Sequence, residues 1–167
     1  MIASESAASA SSDRVLVIER VFDAPRELVF EAWTEARHLV NWWGPADFTL
    51  PFCEIDFRVG GAYRFCMRSP EGANHWVSGR YQEIVRPEAI AFSWLREDES
   101  GRIWCRNAVR VEFKDLGGRT KFTLRQSLFE SPAICEQHQG GWTQCIERLE
   151  TYVVDRSRRS SKGETLI

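Results

Sequence analysis

The sequence predicts an α+β domain in which a curved antiparallel sheet of about seven strands packs against two short helices and a long C-terminal helix. A β-branched segment near the N-terminus is followed by residues with helical spacing. Six segments with alternating apolar and polar residues come next, joined by short turns. A long amphipathic segment follows them. A chain of 167 residues is long enough to bury a substantial core as one domain.

The N-terminal part predicts one strand and then helix. Residues 15–22, VLVIERVF, are dominated by β-branched side chains and indicate a strand. Pro25 suits the first turn of a helix, where its missing N–H would have no partner anyway. Apolar residues over 29–43 recur at spacings of three and four, which predicts one helix or two short helices broken near Thr34. The Gly-Pro pair at 44–45 ends this segment.

The two adjacent tryptophans of WWGP, residues 42–45, differ in their expected exposure. Trp43 continues the apolar stripe that contains Trp33, so we expect it to face the body of the protein. Trp42 lies about 100° away on an ideal helix, so we expect it at the rim or on the surface.

From Phe48 onward the period of the apolar residues is two, which is typical of strands with one buried face. The six strands predicted here span residues 48–57, 62–68, 75–85, 89–96, 103–115 and 120–129. Short turns separate them, most with glycine or proline, so consecutive strands are expected to pair as an antiparallel meander.

A long helix is predicted from Ser131, whose side chain can cap it, with Pro132 in the first turn. Gly140 and Gly141 would each cost about 1 kcal/mol relative to alanine inside a helix. Either the helix starts near Gly141, or the glycines let the helix backbone approach another group closely. The polar face of this helix carries Glu136, Gln144, Glu147 and Arg148.

The composition is that of an ordinary globular protein, with 43% apolar residues, 28% charged residues and a formal net charge of −2. This charge gives no electrostatic basis for binding nucleic acid. No segment approaches the roughly 20 apolar residues of a membrane span, so no membrane association is expected. The five cysteines lack CxxC spacing, which favours reduced thiols in the cytoplasm over a disulfide framework or a zinc site.

We expect the domain to cover residues 14–156. The preceding residues 1–13 are small and polar without an apolar signal segment, and they predict a disordered tail. A second flexible tail is predicted at 157–167.

Several stretches in order resemble a known family: RVFDAPRELVFEAWTEARHLVNWWGP (20–45), DFRVGGAYRFCMR (56–68), GRYQEI (79–84) and GGW (140–142). The family is named for the C-terminal domain of the heat-shock-protein-90 ATPase activator, within the START/Bet v 1-like (SRPBCC) superfamily. The resemblance runs from about Val15 to Val154. It implies the helix-grip fold, with a cavity between the sheet and the C-terminal helix. It implies little about activity, because fold does not fix function.

A set of aromatic and polar side chains is predicted to line this cavity: Trp43, Tyr63, Phe65, Met67, Trp76, Phe92, Trp94, Asn107, Gln126, His138 and Trp142. The alternative is that the aromatic residues fill the core. Asn107 and Gln126 would then bond to backbone at a strand end or bulge, and His138 would be a structural residue. Arg64 is a further candidate for a polar contact with a ligand.

The remaining candidates concern the surface and metals. Strand parity places Trp104 on the outer face, opposite to Cys105, where with Trp42 it would form a patch for a protein partner or a homodimer. His38 is expected on the surface. The histidines share no metal-ligand spacing, so neither a metal nor a cofactor is predicted.

Three functions follow from these residues and the resemblance. The first is a cytoplasmic module that binds a small apolar or amphipathic ligand, lipid-like or aromatic. The second is a co-chaperone-like domain that binds a protein. The third is an enzyme of the cyclase or hydratase kind, which would need a titratable pair such as His138 with a carboxylate. The absence of a GxSxG or similar nucleophile motif favours binding over catalysis.

Overall fold

The computed structural model describes residues 14–127 and 129–161, and these form the predicted α+β fold. The strands are β1 (Leu16–Phe22), β2 (Thr49–Ile55), β3 (Ala62–Arg68), β4 (Asn74–Val85), β5 (Ala89–Glu97), β6 (Ile103–Asp115) and β7 (Thr120–Ser127). The helices are α1 (Arg26–Glu31), α2 (Ala36–Leu39) and α3 (Pro132–Ser161). Helix α3 therefore continues past residue 156, where the domain was expected to end. The tail predicted at 1–13 lies outside the described residues, as does the part of the tail predicted at 157–167 that follows Ser161.

All the strands belong to one curved sheet with the order β1-β7-β6-β5-β4-β3-β2, and every pairing is antiparallel. The meander predicted from β2 to β7 is confirmed. Strand β1 joins it beside β7, with Leu16 opposite Gln126. The sheet curves round α3, and this arrangement is the helix-grip fold. None of the helices in the described part of the chain is long and apolar enough to cross a membrane.

The inner face of the sheet is apolar because side chains alternate along each strand. On β3, Tyr63, Phe65 and Met67 are buried against the core, whereas Arg64 and Arg68 are exposed. Helix α3 covers this inner face with Trp142, Cys145, Ile146, Leu149 and Val153. Each large side chain buried in this way contributes roughly 1.5–3 kcal/mol to folding.

The helical segment after β1 is broken, as one of the two alternatives predicted. Helix α1 ends at Glu31 and α2 begins at Ala36. Between them, the hydroxyl of Thr34 donates a 2.8 Å hydrogen bond to the carbonyl of Glu31. Such a side-chain bond to a helix carbonyl competes with continuation of the helix.

The predicted exposure of Trp42 is wrong. Its side chain is fully buried, and its Nε1 donates a 3.1 Å hydrogen bond to the carbonyl of Ala32. The prediction assumed 100° per residue, but α2 ends at Leu39, so Trp42 does not lie on an ideal helix. The inward position predicted for Trp43 is confirmed, since that side chain is also buried.

The predicted surface position of His38 is also wrong, because only 1% of its surface is exposed. Its Nδ1 lies 2.7 Å from the hydroxyl of Tyr152 on α3. Its Nε2 lies 3.1 Å from the carboxylate of Glu31 on α1. His38 thus connects all three helices.

Ser131 caps α3 as predicted, accepting a 3.2 Å hydrogen bond at Oγ from the backbone N–H of Ile134. The helix runs through Gly140 and Gly141, so the alternative in which it starts near Gly141 is wrong. The other alternative, a close approach that requires glycine, holds for neither residue. A Cβ atom at Gly141 would meet Pro45 Cγ at 3.7 Å, an ordinary van der Waals contact, and at Gly140 it would meet nothing within 4 Å.

Candidate ligand-binding pocket

The segment 44–48, which begins with the Gly-Pro pair of WWGP, lies against α3 and is hydrogen bonded to it. Gly44 has a φ of +104°, which a residue with a Cβ atom rarely adopts, and so lets the chain turn here. The N–H of Gly44 donates to Cys145 Sγ at 3.3 Å, and the N–H of Ala46 donates to Gln144 Oε1 at 2.9 Å. These contacts fix the segment over the middle of the helix.

Arg148 adds a second attachment between this segment and α3. Its Nη1 lies 3.0 Å from the carbonyl oxygen of Pro45 and 3.1 Å from that of Gly44. The carbonyl oxygens of Trp43 and Phe48 lie 3.3 and 3.4 Å away. One nitrogen carries only two N–H groups, so the two shortest contacts are the principal bonds. The helical spacing that placed Arg148 on the polar face does not reveal these contacts.

A cavity of about 170 Å³ opens between this segment, strands β3 to β5 and α3. It is lined by Trp43, Gly44, Pro45, Phe48, Met67, His75, Trp94, Arg96, Gln137, His138, Gly141, Trp142 and Cys145. Pockets for drug-sized ligands measure roughly 300–1,000 Å³. An apolar cavity of about 150 Å³ is nevertheless large enough to bind benzene. The cavity therefore has room for one aromatic ring.

Three indoles form the wall of the cavity. The ring centroid of Trp142 lies 5.4 Å from that of Trp43 and 5.3 Å from that of Trp94. The Trp43 and Trp94 centroids are 6.3 Å apart. Aromatic pairs at these distances contribute about 0.5–1.5 kcal/mol beyond their buried area, so the wall is held together by its own contacts.

A chain of side-chain hydrogen bonds orients Trp142. Its Nε1 donates to Oε1 of Gln126 at 2.7 Å, and Nε2 of Gln126 donates to Oδ1 of Asn107 at 2.7 Å. Nδ2 of Asn107 lies 3.6 Å from Cys105 Sγ. The two amides therefore bond to protein groups behind Trp142, and neither of them lines the cavity.

His138 lies in the wall with both ring nitrogens engaged. Its Nδ1 lies 3.0 Å from the carbonyl oxygen of Ile134, so this nitrogen carries the proton and donates. Its Nε2 then accepts from the indole Nε1 of Trp94 at 3.3 Å. Burial lowers the pKa of His138 to about 4, so the ring is neutral at neutral pH.

A second cluster lies away from the cavity, where ligand atoms of Glu31, Glu35 and His38 come within 4.8 Å of one another. Arg37 lies 3.1 Å from Glu35, and Arg156 lies 3.5 Å from Glu31. These guanidinium groups already balance the two carboxylates, so the cluster is an ion-pair network rather than a good cation site.

Comparison with known proteins gives the family. Residues 23–154 match the family described as activator of Hsp90 ATPase homolog 1-like protein. The chain belongs to this family. The resemblance predicted from the sequence is therefore confirmed. None of the curated proteins compared with the chain matches it.

Solved structures of this fold include a Chromobacterium violaceum protein with 26% identity, where the match covers 84% of this chain and 97% of the other at a TM-score of 0.75. The AHSA1 protein of Silicibacter pomeroyi is 25% identical, with 82% and 95% covered and a TM-score of 0.76. A Nitrosomonas europaea protein, with 21% identity, 88% and 98% coverage and a TM-score of 0.73, supports the fold alone.

Within this family fold, five of the predicted site residues line the cavity: Trp43, Met67, Trp94, His138 and Trp142. Tyr63, Phe65 and Phe92 do not. They surround a void of only about 10 Å³ deeper in the domain, which is too small for a ligand. For these three residues the alternative of core filling is correct.

The predicted inward position of Trp76 is wrong. His75 and Val77 on β4 pair with the inward residues of β3, so Trp76 between them points to the outer face. There the guanidinium carbon of Arg64 lies 4.0 Å from its ring centroid. Arg64 is also paired with Glu97 at 3.2 Å, so it is not available to a ligand in the cavity.

The predicted surface patch of Trp104 and Trp42 is also wrong, since Trp42 is buried. The pairing of β5 with β6 is irregular between Arg96 and Glu97, and this bulge changes the parity at Trp104. The Trp104 ring is half-buried, with its centroid 6.2 Å from that of His138.

Phe48, His75 and Arg96 are among the cavity residues that were not predicted. His75 and Arg96 share strand parity with the inward residues Val77 and Trp94, so the alternation of the strands contained the signal. Phe48 reaches the cavity through the irregular path of the segment after Gly44, for which no periodic pattern exists.

Proposed function

We propose that the protein is a cytoplasmic module that binds a small, largely apolar molecule in the cavity between the sheet and α3. The observation that carries this proposal is a 170 Å³ cavity lined on one side by Trp43, Trp94 and Trp142. Apolar walls with a few polar groups are typical of small-molecule sites. The five cysteines, all among the described residues, form no disulfide bond, which supports a reducing compartment.

The size of the cavity favours a single-ring aromatic ligand over a long lipid chain. A ligand this small buries little apolar area, so we expect dissociation constants in the micromolar to millimolar range. The walls are already in contact with one another, which reduces the ordering cost of binding.

Two neighbouring glycines of α3 provide a matched test. Gly141 lines the cavity, and a Cβ atom there makes only an ordinary contact with Pro45 at 3.7 Å. A leucine at position 141 would extend into the cavity and fill it. Gly140 has open space around it, so Gly140→Leu gives the same gain in helix propensity without entering the cavity.

The measurement is native mass spectrometry of the protein purified from cell extract and incubated with a pool of single-ring aromatic compounds. We expect a retained mass with the wild type and Gly140→Leu, and none with Gly141→Leu. No retained mass with the wild type, or equal retention by all three proteins, would contradict the proposal.

A co-chaperone-like role is a second candidate, favoured by the description of the family. Such a role needs a protein partner, or a second copy of the chain, bound at the surface. The test is the ATPase rate of purified heat-shock protein 90 with and without the wild-type chain. A stimulated rate that Gly141→Leu leaves unchanged would support this candidate and separate it from ligand binding.

Catalysis of the cyclase or hydratase kind has less support. It requires a titratable pair, and His138 already uses both ring nitrogens within the protein. No aspartate or glutamate is among the described residues that line the cavity. The residues in place therefore favour binding over proton transfer.

A further inference from the structure

Arg96 places a positive charge in the wall of the cavity. It lies on β5, opposite Val77 of β4 and Cys105 of β6, and shares the inner face of the sheet with Trp94. It lines the cavity. Its guanidinium carbon lies 5.2 Å from the ring centroid of Trp104, a contact that holds the cation against an aromatic face.

The guanidinium of Arg96 has an unused hydrogen-bond donor. Its Nε is buried and has no hydrogen-bond partner among the described residues. In that part of the chain, none of the ion pairs includes Arg96, whereas the outward-facing Arg64 and Arg110 both pair with glutamates. A buried N–H without a partner is unfavourable, and more so on a charged group. Because this Nε has almost no exposed surface, a ligand acceptor reaches it only after the guanidinium shifts, and such a bond would remove the cost.

The other titratable groups around Arg96 do not neutralise it. His75 on β4 has a pKa lowered by burial and, to a lesser extent, by Arg96 itself. Burial raises the pKa of the Cys105 thiol on β6, so this thiol is protonated at neutral pH. His138 on α3 is neutral. The carboxylates of Glu71 and Glu130 act on His75 and Cys105, respectively, but neither forms an ion pair with Arg96, so its charge stays unpaired.

We propose that Arg96 binds the carboxylate of a small aromatic acid whose single ring packs against Trp43, Trp94 and Trp142. This inference rests on the proposed function and narrows its ligand class. The planar fork of an arginine matches a carboxylate and forms charge-assisted hydrogen bonds with it. The cavity volume accommodates the ring, and the indoles supply the apolar contact.

The experiment compares phenylacetate with phenylacetamide, which has nearly the same shape but no charge. Isothermal titration calorimetry of the wild type should give at least a tenfold lower Kd for phenylacetate, since charge-assisted hydrogen bonds are about twice as strong as neutral ones. Arg96→Gln should bind both probes with the affinity of the wild type for phenylacetamide. The preference for the anion should disappear.

Arg106→Gln is the matched control. Arg106 is exposed on β6, opposite Leu95, and does not line the cavity. Its removal changes the net charge by the same amount as Arg96→Gln. It should leave the affinities for both probes unchanged. A comparable loss of preference in Arg106→Gln would show a non-specific charge effect and overturn the proposal.

The two proposals fail in different ways. Equal affinities of the wild type for phenylacetate and phenylacetamide would overturn anion recognition and leave ligand binding intact. Binding of neither probe would overturn the aromatic-acid proposal, whereas the proposed function is decided by mass spectrometry of the wild type, Gly140→Leu and Gly141→Leu with the compound pool. Circular dichroism checks the fold of each variant. If Arg96→Gln does not fold, Arg96→Lys replaces it: this variant keeps the charge but loses the fork, and it should retain only part of the preference.

Discussion

The indole Nε1 of Trp142 on α3 donates a 2.7 Å hydrogen bond to Oε1 of Gln126 on β7, across the interface between helix and sheet. Gln126 is completely buried. Because Trp142 is also a wall of the cavity, the position of α3 and the shape of the cavity depend on the same polar contact. This dependence makes the contact a suitable first target for mutation.

We expect Gln126→Leu to lower the free energy of unfolding by about 1–3 kcal/mol, since it leaves the indole N–H of Trp142 buried without a partner. Urea unfolding measures the change. In a Trp142→Phe background no such N–H exists, so the same substitution should cost less. Equal costs in the two backgrounds would show that the hydrogen bond does not account for the effect.

Stability should fall as the pH drops from about 6.5 to 4. Burial lowers the pKa of His138 from 6.5 to about 4, so the unfolded chain takes up a proton in this range before the folded chain does. At about 1.4 kcal/mol per pKa unit, the loss amounts to at most roughly 3–4 kcal/mol. The pKa values of His38 and His75 are also lowered by burial and act in the same direction.

The measurement is urea unfolding of the wild type and His138→Gln at several pH values. Carboxylates titrate in the same range, so the comparison between the two proteins isolates the histidine. The variant should show a shallower decrease in stability between pH 6.5 and 4. Parallel decreases in both proteins would argue against a neutral buried His138.

Alanine should have opposite effects at Gly140 and Gly79. Gly140→Ala removes a helix-interior glycine with open space around it and should stabilise the protein by about 1 kcal/mol. At Gly79 a Cβ atom would lie 2.0 Å from the carbonyl oxygen of Ser93, so the backbone would have to move. Thermal unfolding should show a higher Tm for the first variant and a lower Tm for the second. A neutral Gly79→Ala would contradict the close approach of β4 and β5.

Arg148→Met should loosen the segment after Gly44. It removes the charged donor that contacts the carbonyl oxygens of Gly44 and Pro45, and such bonds contribute about 1.5–3 kcal/mol. Arg158→Met, near the exposed end of α3, removes the same charge without this contact. Amide hydrogen exchange at Ala46 and Phe48 should be faster in Arg148→Met only. Unchanged exchange would show that the remaining contacts to α3 suffice.

The order of the secondary-structure elements could be predicted from the sequence because each element carries its own period. The alternation on β3 and the cap at Ser131 are local features, and both predictions hold. The predicted exposure of a side chain was wrong where the regular spacing of apolar residues along a helix or strand is interrupted. Trp42 follows the end of α2, and Trp104 lies beside a bulge, so neither obeys the spacing of its neighbours.

The cavity could be predicted only in part. Strand parity correctly predicted that Met67 and Trp94 face inward. The same rule applied to β4 and β5 would have identified His75 and Arg96. The depth of Tyr63 and Phe92 could not be predicted, because parity gives a face but not a distance from α3. The contacts of Arg148 depend on an irregular segment, and no local pattern encodes them.

The indoles of the cavity wall continue into the core, where the Trp33 centroid lies 4.7 Å from that of Trp42 and 5.8 Å from that of Trp43. Chromophores this close share their electronic excitation, so light absorbed by one ring reaches the others before it is emitted. A molecule that enters the cavity and quenches one indole would therefore lower the fluorescence intensity of all the coupled indoles. The protein carries its own optical reporter of occupancy, and ligand titrations can be followed without a label.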